Sequence, residues 1–334
     1  MEFGPLLGKV ANREHLSLAE ASSLMKSLIK DATPVQIGAT LTALQMKGVT
    51  NDEIAGFART LRADCVSVVS PVKNHIDTCG TGGGVSSFNV STAAAIIAAG
   101  AGATVAKHGN RAITGRCGSA DVLEAIGVPL CETPEDASRR LNELGFAFLF
   151  APKFHPSGAK MAPIRKELPF RTVFNVLGPL LNPAGARRQI VGVWEPGLLS
   201  MVAEALVRLD TEFAIVVHGE PGMDEISPIS VTQVRVVENG EVRREEWTPA
   251  TFGAKPVDLS ALLSGETPLD NGQLLEEAVT QVSSQKCLAV LPSAAVAVRL
   301  AGLADDWKGA YELALETVRS GASASKLERL KADA

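Results

Sequence analysis

HIDTCGTGGGVSSFNVSTAAAIIAAGAGATVAKHG, His75 to Gly109, is the stretch that decides the fold. HIDTCG reads as a short buried strand ending in a glycine loop, STAAAIIAAG as a helix, and ATVA as a second strand. Another loop follows from Lys107, then a second helix, SADVLEAIG. Strand, loop and helix therefore occur twice in succession, the signature of a mainly parallel sheet with helices on its faces. FAFLF (Phe146 to Phe150), QIVGV (Gln189 to Val193) and FAIVVHG (Phe213 to Gly219) read as further buried strands with helical segments between them. TQVRVVENGEVRREEW alternates about Asn239-Gly240, a strong hairpin signal. The chain from Leu274 onward reads as helical.

The first 70 residues are of a different kind. Ser17-Leu-Ala-Glu20, Thr33-Pro-Val-Gln36 and Thr50-Asn-Asp-Glu53 are capping boxes, and Pro34 occupies the favoured first helical position. Gly48 is a stop between the second and third of these helices. Helices this short are stable only when packed on each other or on a partner chain. The expected organisation is a small all-helical domain over 1–70, joined by a crossing segment over about 160–187, and a large α/β domain made of 71–159 and 188–334. The Pro-rich run Ala151 to Pro183 is expected to cross between layers.

Composition excludes several classes of function. With 46% hydrophobic residues over 334 positions the chain can bury a large core. A net charge of -5 and a pI near 5.7 give no basic field for nonspecific nucleic-acid binding. The richest apolar run, Ala93 to Ala106, is too short to span a membrane. The opening residues show no charged stretch followed by an apolar one, so no signal peptide is expected. The five cysteines have no metal-site spacing, and their odd number argues against a disulfide framework. A cytoplasmic enzyme with structural thiols is expected.

In an open parallel sheet, ligands sit beyond the carboxyl ends of the strands, and three unusual loops follow predicted strands. The first, Gly80-Thr-Gly-Gly-Gly84, has four glycines in five positions, which lets backbone N–H groups approach an anion. Asn89, Ser91 and Thr92 then open a helix, where free N–H groups favour phosphate. The loop matches neither a Walker motif nor a dinucleotide fingerprint, and a plain tight turn remains the competing reading. The second, KHGNRAITG, offers Lys107 and Arg111 to phosphate oxygens, with Gly109-Asn110 letting the backbone curl; its plain alternative is a solvated basic loop. The third, GEPGMDEISP, carries Asp224 and Glu225, adjacent carboxylates that suit magnesium held sparsely alongside substrate phosphates, or else an exposed acidic turn. His15, His75 and His218 read as structural, whereas His108 and His155 fall in suspect loops. Arg165, in the Pro-rich crossing, is either a surface cation or a partner for a substrate carboxylate.

Taken in order, GTGGG…FNVST, KHGNRAITGRCGSADVLEAIGV, FLFAPKFHP, RTVFNVLGPLLNPA and GEPGMDEISP resemble the anthranilate phosphoribosyltransferase family. The resemblance runs from about Leu6 to Pro228. The last third shares only its helical character and its end, VRSGASASKLERL. It implies transfer of phosphoribose from phosphoribosyl pyrophosphate (PRPP) to the amine of anthranilate, with release of pyrophosphate, on the route to tryptophan. It also implies a magnesium requirement, with two ions beside bound PRPP. The implied fold is shared with pyrimidine nucleoside phosphorylases, with a hinge between domains and a homodimer formed through the helical domain.

Carried over by motif, the resemblance places Gly80, Gly83, Gly84, Ser87, Asn89, Val90, Ser91 and Thr92 around PRPP. Lys107, His108, Gly109, Asn110, Arg111, Ala112, Ile113, Thr114 and Gly115 would form a mobile loop over it, and Ser119 would reach the pyrophosphate. Ser91, Asp224 and Glu225 would hold magnesium. Gly80, Asn110 and Arg165 would contact anthranilate, with His108, His155 and Gly178 walling its channel. The sequence departs from the family pattern at Gly84, where many members have Asp, and at Ser157-Gly158, where an aromatic residue or Met often follows His-Pro. The first departure leaves position 84 only a backbone contact, and the second implies a wider acceptor channel. The phosphorylase reading is disfavoured because that family's loop reads Lys-His-Ser-Thr-Gly-Gly. A nucleic-acid-binding relative that kept only the fold would show a basic groove and eroded metal residues, contrary to the pI and to Asp224-Glu225.

Overall fold

The structure, a computed structural model, describes residues 2–70, 72–85, 87–112 and 117–333. Four helices open the chain: α1 (Phe3–Ala11), α2 (Leu18–Lys30), α3 (Pro34–Lys47) and α4 (Asn51–Asp64). All three capping boxes form, each hydroxyl accepting from the backbone of the residue three positions on. Gly48 ends α3 at φ +78°. Helix α1 has no side-chain cap and so carried no start signal; burial of Leu6 and Val10 holds it.

Glu53 does more than cap α4. Its Oε2 accepts from Thr50 N at 2.9 Å and from Lys47 Nζ at 2.8 Å, while Oε1 accepts from Leu16 N at 2.9 Å. The Lys47 and Glu53 side chains are 1% and 0% exposed. Truncating one member of a buried pair leaves the other charged and uncompensated. Glu53→Ala is therefore expected to cost about 3–5 kcal/mol in urea unfolding, with Glu53→Gln costing less because it keeps an acceptor oxygen.

The α/β part is one seven-stranded sheet: β1 (Ile76–Thr78), β2 (Val105–Gly109), β3 (Phe146–Phe150), β4 (Arg188–Gly192), β5 (Phe213–Gly219), β6 (Thr232–Glu238) and β7 (Glu241–Trp247). The order is β3-β2-β1-β4-β5-β6-β7, parallel from β3 through β5, then antiparallel. Asn239 and Gly240 join β6 to β7 with φ +53° and +81°, the left-handed pair a two-residue hairpin needs. β2 runs three residues further than ATVA suggested, because Lys107, His108 and Gly109 pair with Phe148, Leu149 and Phe150. Polar residues at the end of a central strand hid it from a hydrophobicity reading.

Helices α5 (Val90–Gly100), α6 (Ser119–Ala125) and α7 (Pro134–Glu143) alternate with the first three strands. The crossing contains α8 (Ala151–Phe154), α9 (Pro156–Glu167) and α10 (Phe174–Leu177); α11 (Leu198–Arg208) then links β4 to β5. The chain closes with α12 (Pro268–Thr280), α13 (Gln285–Leu300), α14 (Trp307–Arg319) and α15 (Ala322–Ala332). Alternation along β5 divides the core. Ile215 and Val217 face the cluster that includes α5 and α13, whereas Ala214 and Val216 face one built from α11 and the N-terminal helices. Met161 of α9 and Val176 and Leu177 of α10 join that second cluster, so the crossing packs with the helical part. No helix among the described residues is long and apolar enough to cross a membrane.

Candidate active site

Strand β1 has β2 on one side and β4 on the other, so the connections leaving β1 and β4 diverge. This switch point opens a crevice at the strands' carboxyl ends. The glycine loop fills it: Cys79 N donates to Ile190 O at 3.2 Å and Thr81 N to Gly192 O at 2.9 Å. The loop after β5 closes over the top, with Gly82 N donating to Asp224 Oδ2 at 2.7 Å and Val85 N to Gly222 O at 2.9 Å. Only glycine allows this approach. A Cβ on Gly80 would lie 2.6 Å from Asp224 Oδ2, and one on Gly192 would lie 1.6 Å from Asp224 O.

Around these loops lies a cleft of about 720 Å³. It is lined by Gly80, Gly83, Gly84, Ser87, Asn89, Ser91, Lys107, His108, Gly109, Asn110, Arg111, Ala112 and Ser119. His155, Arg165, Gly178, Asp224 and Glu225 line it too, so all three loops meet in one cavity. Val90 and Thr92 do not line it; both side chains are buried, and the Thr92 hydroxyl has no partner among the described residues. Ile113, Thr114 and Gly115 lie outside the described residues. Helix α5 starts at the cleft without a side-chain cap; Val90 N and Thr92 N donate to Phe88 O and Asn89 O, and the Ser91 N–H helps to hold Glu225, so its positive end faces the metal-site carboxylate.

Lys107 lies in strand β2 and not in the basic loop that the sequence suggested. It is 2% exposed, and its Nζ donates to Thr78 O at 2.5 Å, Thr78 Oγ1 at 3.1 Å and Ser91 Oγ at 3.3 Å. Burial lowers its pKa, against the pull of nearby acids including Asp77 and Glu225. Asp77, wholly buried, is pushed up to about 6 by the same loss of solvent, although it accepts from His108 N and Asn182 Nδ2. Arg111 remains exposed and pairs with Glu124 at 2.9 Å.

Asp224 and Glu225 are not an exposed acidic turn. Burial raises the pKa of both, and Asp224 raises that of Glu225 further. Glu225 Oε2 is buried with no hydrogen-bond partner among the described residues. An orphaned carboxylate oxygen beside a second buried carboxyl is the environment a hard cation relieves. No cluster of three or more His, Cys, Asp or Glu side chains suited to a metal exists among the described residues, so a metal here would draw its remaining ligands from substrate or water.

At the other side of the cleft, Arg165 lies 5.1 Å over the Phe174 ring, and burial alone lowers its pKa. Its guanidinium has no ion pair among the described residues. His108 Nε2 and His155 Nε2 stand 3.1 Å apart. Burial pulls His108 down to about 3, with His155 adding to the effect, and His155 down to about 4. Both rings are therefore neutral between pH 5 and 8 and share one proton across the contact. The pH profile of kcat/KM is expected to show no histidine limb in that window. Depressed histidine pKa values also mean stability present above about 6.5 and lost as pH falls toward 4, which acid melting curves would record.

Residues 72–324 match the a/b domain of the glycosyl transferase family, and residues 4–65 match its helical bundle domain. The chain is 44% identical to the anthranilate phosphoribosyltransferase of Moorella thermoacetica, over 98% of this chain and 96% of that protein. The chain belongs to the anthranilate phosphoribosyltransferase family. Its structure is similar to that of the Thermus thermophilus enzyme, with a TM-score of 0.90 and 40% identity over 98% of both chains. The Saccharomyces cerevisiae enzyme in complex with PRPP and Mg gives a TM-score of 0.87 at 28% identity, covering 98% of this chain and 97% of that one. The same yeast enzyme in complex with 4-fluoroanthranilate gives 0.84 at 28%, covering 99% and 98%.

The departures from the family pattern now have a physical setting. A Cβ on Gly84 would lie 2.6 Å from Gly222 O and 3.0 Å from Asp224 N, so an aspartate does not fit this backbone. Gly158 faces open space, with only His155 Cβ within 4 Å of an added Cβ. Reading the sequence missed several polar residues that line the cleft, Arg171 and Asn175 among them. Both stand in RTVFNVLGPLLNPA, whose apolar majority made it look structural.

Proposed function

We infer that the chain is an anthranilate phosphoribosyltransferase of tryptophan biosynthesis, moving phosphoribose from PRPP to the anthranilate amine and releasing pyrophosphate. One observation carries the residue assignments: a single cleft with two opposite, unmet electrostatic demands. One region holds buried carboxyls beside a glycine loop and an uncapped helix start, where a metal-bound polyanion fits. The other holds Arg165, a cation over an aromatic ring with no ion pair among the described residues, where a benzoate-type acid fits.

Ser91, Asp224 and Glu225 would hold magnesium, two ions when PRPP is bound, and the metal would offset charge on the pyrophosphate group. The glycine loop binds PRPP with the positive end of α5 behind it, and Lys107 orients the Ser91 hydroxyl by donating to its Oγ at 3.3 Å. Asn110, Arg111, Ala112 and Ser119 border the pyrophosphate region, and the assigned loop extends to Ile113, Thr114 and Gly115. As the C1–O bond breaks, positive charge develops on the sugar and negative charge on the leaving group, which these fixed dipoles stabilise. Arg165 orients the acceptor through its carboxylate, with Gly80, Asn110, His108, His155 and Gly178 around it. Holding the amine near C1 is worth about 7–11 kcal/mol, and no strong base is needed because the amine is neutral. Arg165 sits on α9, packed with the helical part, while the glycine loop belongs to the sheet, so the two substrates approach from different bodies.

Pairing of two chains through the helical domain is supported by Val35 and Met46 of α3, which are 81% and 70% exposed. Five free cysteines fit a cytoplasmic location. The decisive experiment follows anthranilate fluorescence on adding PRPP and magnesium. Fluorescence should fall only when all three are present with the protein. No loss, with PRPP still bound in a calorimeter, would reopen the identity of the acceptor.

A further inference from the structure

We propose that Arg171 is a positioning residue that sets the shape of the Gly80–Gly84 loop; the proposal rests on the reading of that loop as the PRPP site. Arg171 lies between α9 and α10, six residues beyond Arg165, on the segment that carries the acceptor's cation. Its guanidinium carbon stands 4.5 Å over the Trp194 ring, and its Nη2 donates to Gly83 O at 2.8 Å. Trp194 follows closely on the end of β4, so the platform beneath the guanidinium is anchored at the switch point.

The loop needs such a support. Gly82 and Gly83 have φ +69° and +92°, backbone that only glycine adopts cheaply and that has little stiffness of its own. Two peptide groups, one on each side of the Gly82–Gly83 peptide, are held by opposite charges: Asp224 Oδ2 accepts from Gly82 N–H at 2.7 Å, and Arg171 Nη2 donates to Gly83 O at 2.8 Å. A Cβ on Gly83 would lie 2.1 Å from Arg171 Nη2, so the glycine is what lets the guanidinium sit there. In a trans peptide the N–H points opposite the C=O, so anchoring Gly83 O turns Gly84 N–H away from Arg171. Gly84 N–H has no partner among the described residues and lines the cleft, ready for an anion.

The role predicts a split between the two substrates. A charge-assisted hydrogen bond plus a stacked cation supports roughly a tenfold rise in both the PRPP Kd and KM on Arg171→Ala. The anthranilate KM should move less than about twofold, since roughly 0.4 kcal/mol or less separates the variants there. Trp194→Leu, which leaves the guanidinium but removes its platform, should reproduce most of the rise. Arg171→Lys should recover part of it, keeping charge and a donor without the planar stack. PRPP is titrated calorimetrically with magnesium and without anthranilate, alongside steady-state kinetics and melting curves. Unchanged PRPP binding by Arg171→Ala overturns the proposal. So does an equal rise in both KM values, or a silent Trp194→Leu beside a large Arg171→Ala effect, which would mean direct contact with PRPP. If the wild-type protein itself does not bind PRPP, the functional reading fails instead.

Discussion

Replacing Asp224 with Asn and Glu225 with Gln together lowers kcat/KM by roughly a thousandfold, the scale on which a lost preorganised electrostatic contact is felt. It also makes the ligand-free protein more stable. Both carboxyls are desolvated with raised pKa values, and Glu225 Oε2 has no partner among the described residues, so bonds such as Gly82 N–H to Asp224 Oδ2 offset that desolvation only in part. Neutral amides of the same shape remove that cost, and the melting temperature should rise by about 2–5 °C. The sign with pH follows. A carboxyl whose folded pKa is raised contributes its stability in full below the ordinary carboxyl range and loses it as pH rises through the folded value. Ligand-free wild-type protein should therefore lose stability as pH rises from about 4.5, and the double variant should lose less. The magnesium dependence of PRPP binding should vanish with the charges. A double variant with unchanged magnesium dependence and an unchanged melting curve would remove both residues from the metal site.

Arg165→Ala raises the anthranilate KM by roughly a hundredfold and leaves the PRPP KM within about twofold, because truncating one member of a desolvated charge pair costs about 2–5 kcal/mol. The assignment rests on a cation with no partner among the described residues. Arg111 has Glu124, and Lys107 has Thr78 and Ser91, whereas Arg165 has only the face of Phe174. An unpaired, partly buried guanidinium costs free energy until a carboxylate arrives. Acceptors should confirm the geometry. Aniline, which lacks the carboxylate, should react equally poorly with the wild type and with Arg165→Ala. Equal loss for both substrates on Arg165→Ala would assign Arg165 a structural role.

Local chemistry made much of this molecule legible in its sequence. The three capping boxes read as helix starts because hydroxyl and carboxyl spacing is a property of one turn. Asn239-Gly240 read as a hairpin because few other pairs accept two positive φ angles. The glycine loop read as an anion cradle or a plain tight turn, because bare backbone at the end of a strand serves either use. Ordered motifs then linked these local signals into one family and one reaction.

The features that could be read without coordinates were therefore local: helix starts, the hairpin, the parallel βα pattern, and the residue types that phosphate and magnesium require. Burial and partners came from packing, which joins segments far apart in the chain. Packing turned Lys107 from a loop cation into a buried strand residue bound to Thr78 and Ser91, because β2 pairs on through Gly109. It left Glu225 Oε2 without a hydrogen-bond partner and the Arg165 guanidinium without an ion pair among the described residues, a fact that no spacing of residues encodes. It brought Arg171 onto Trp194 and against Gly83, which lies 88 residues earlier in the chain. Sequence patterns report what the backbone does within a turn or a strand; the free energy of a charged group depends on everything the fold packs around it.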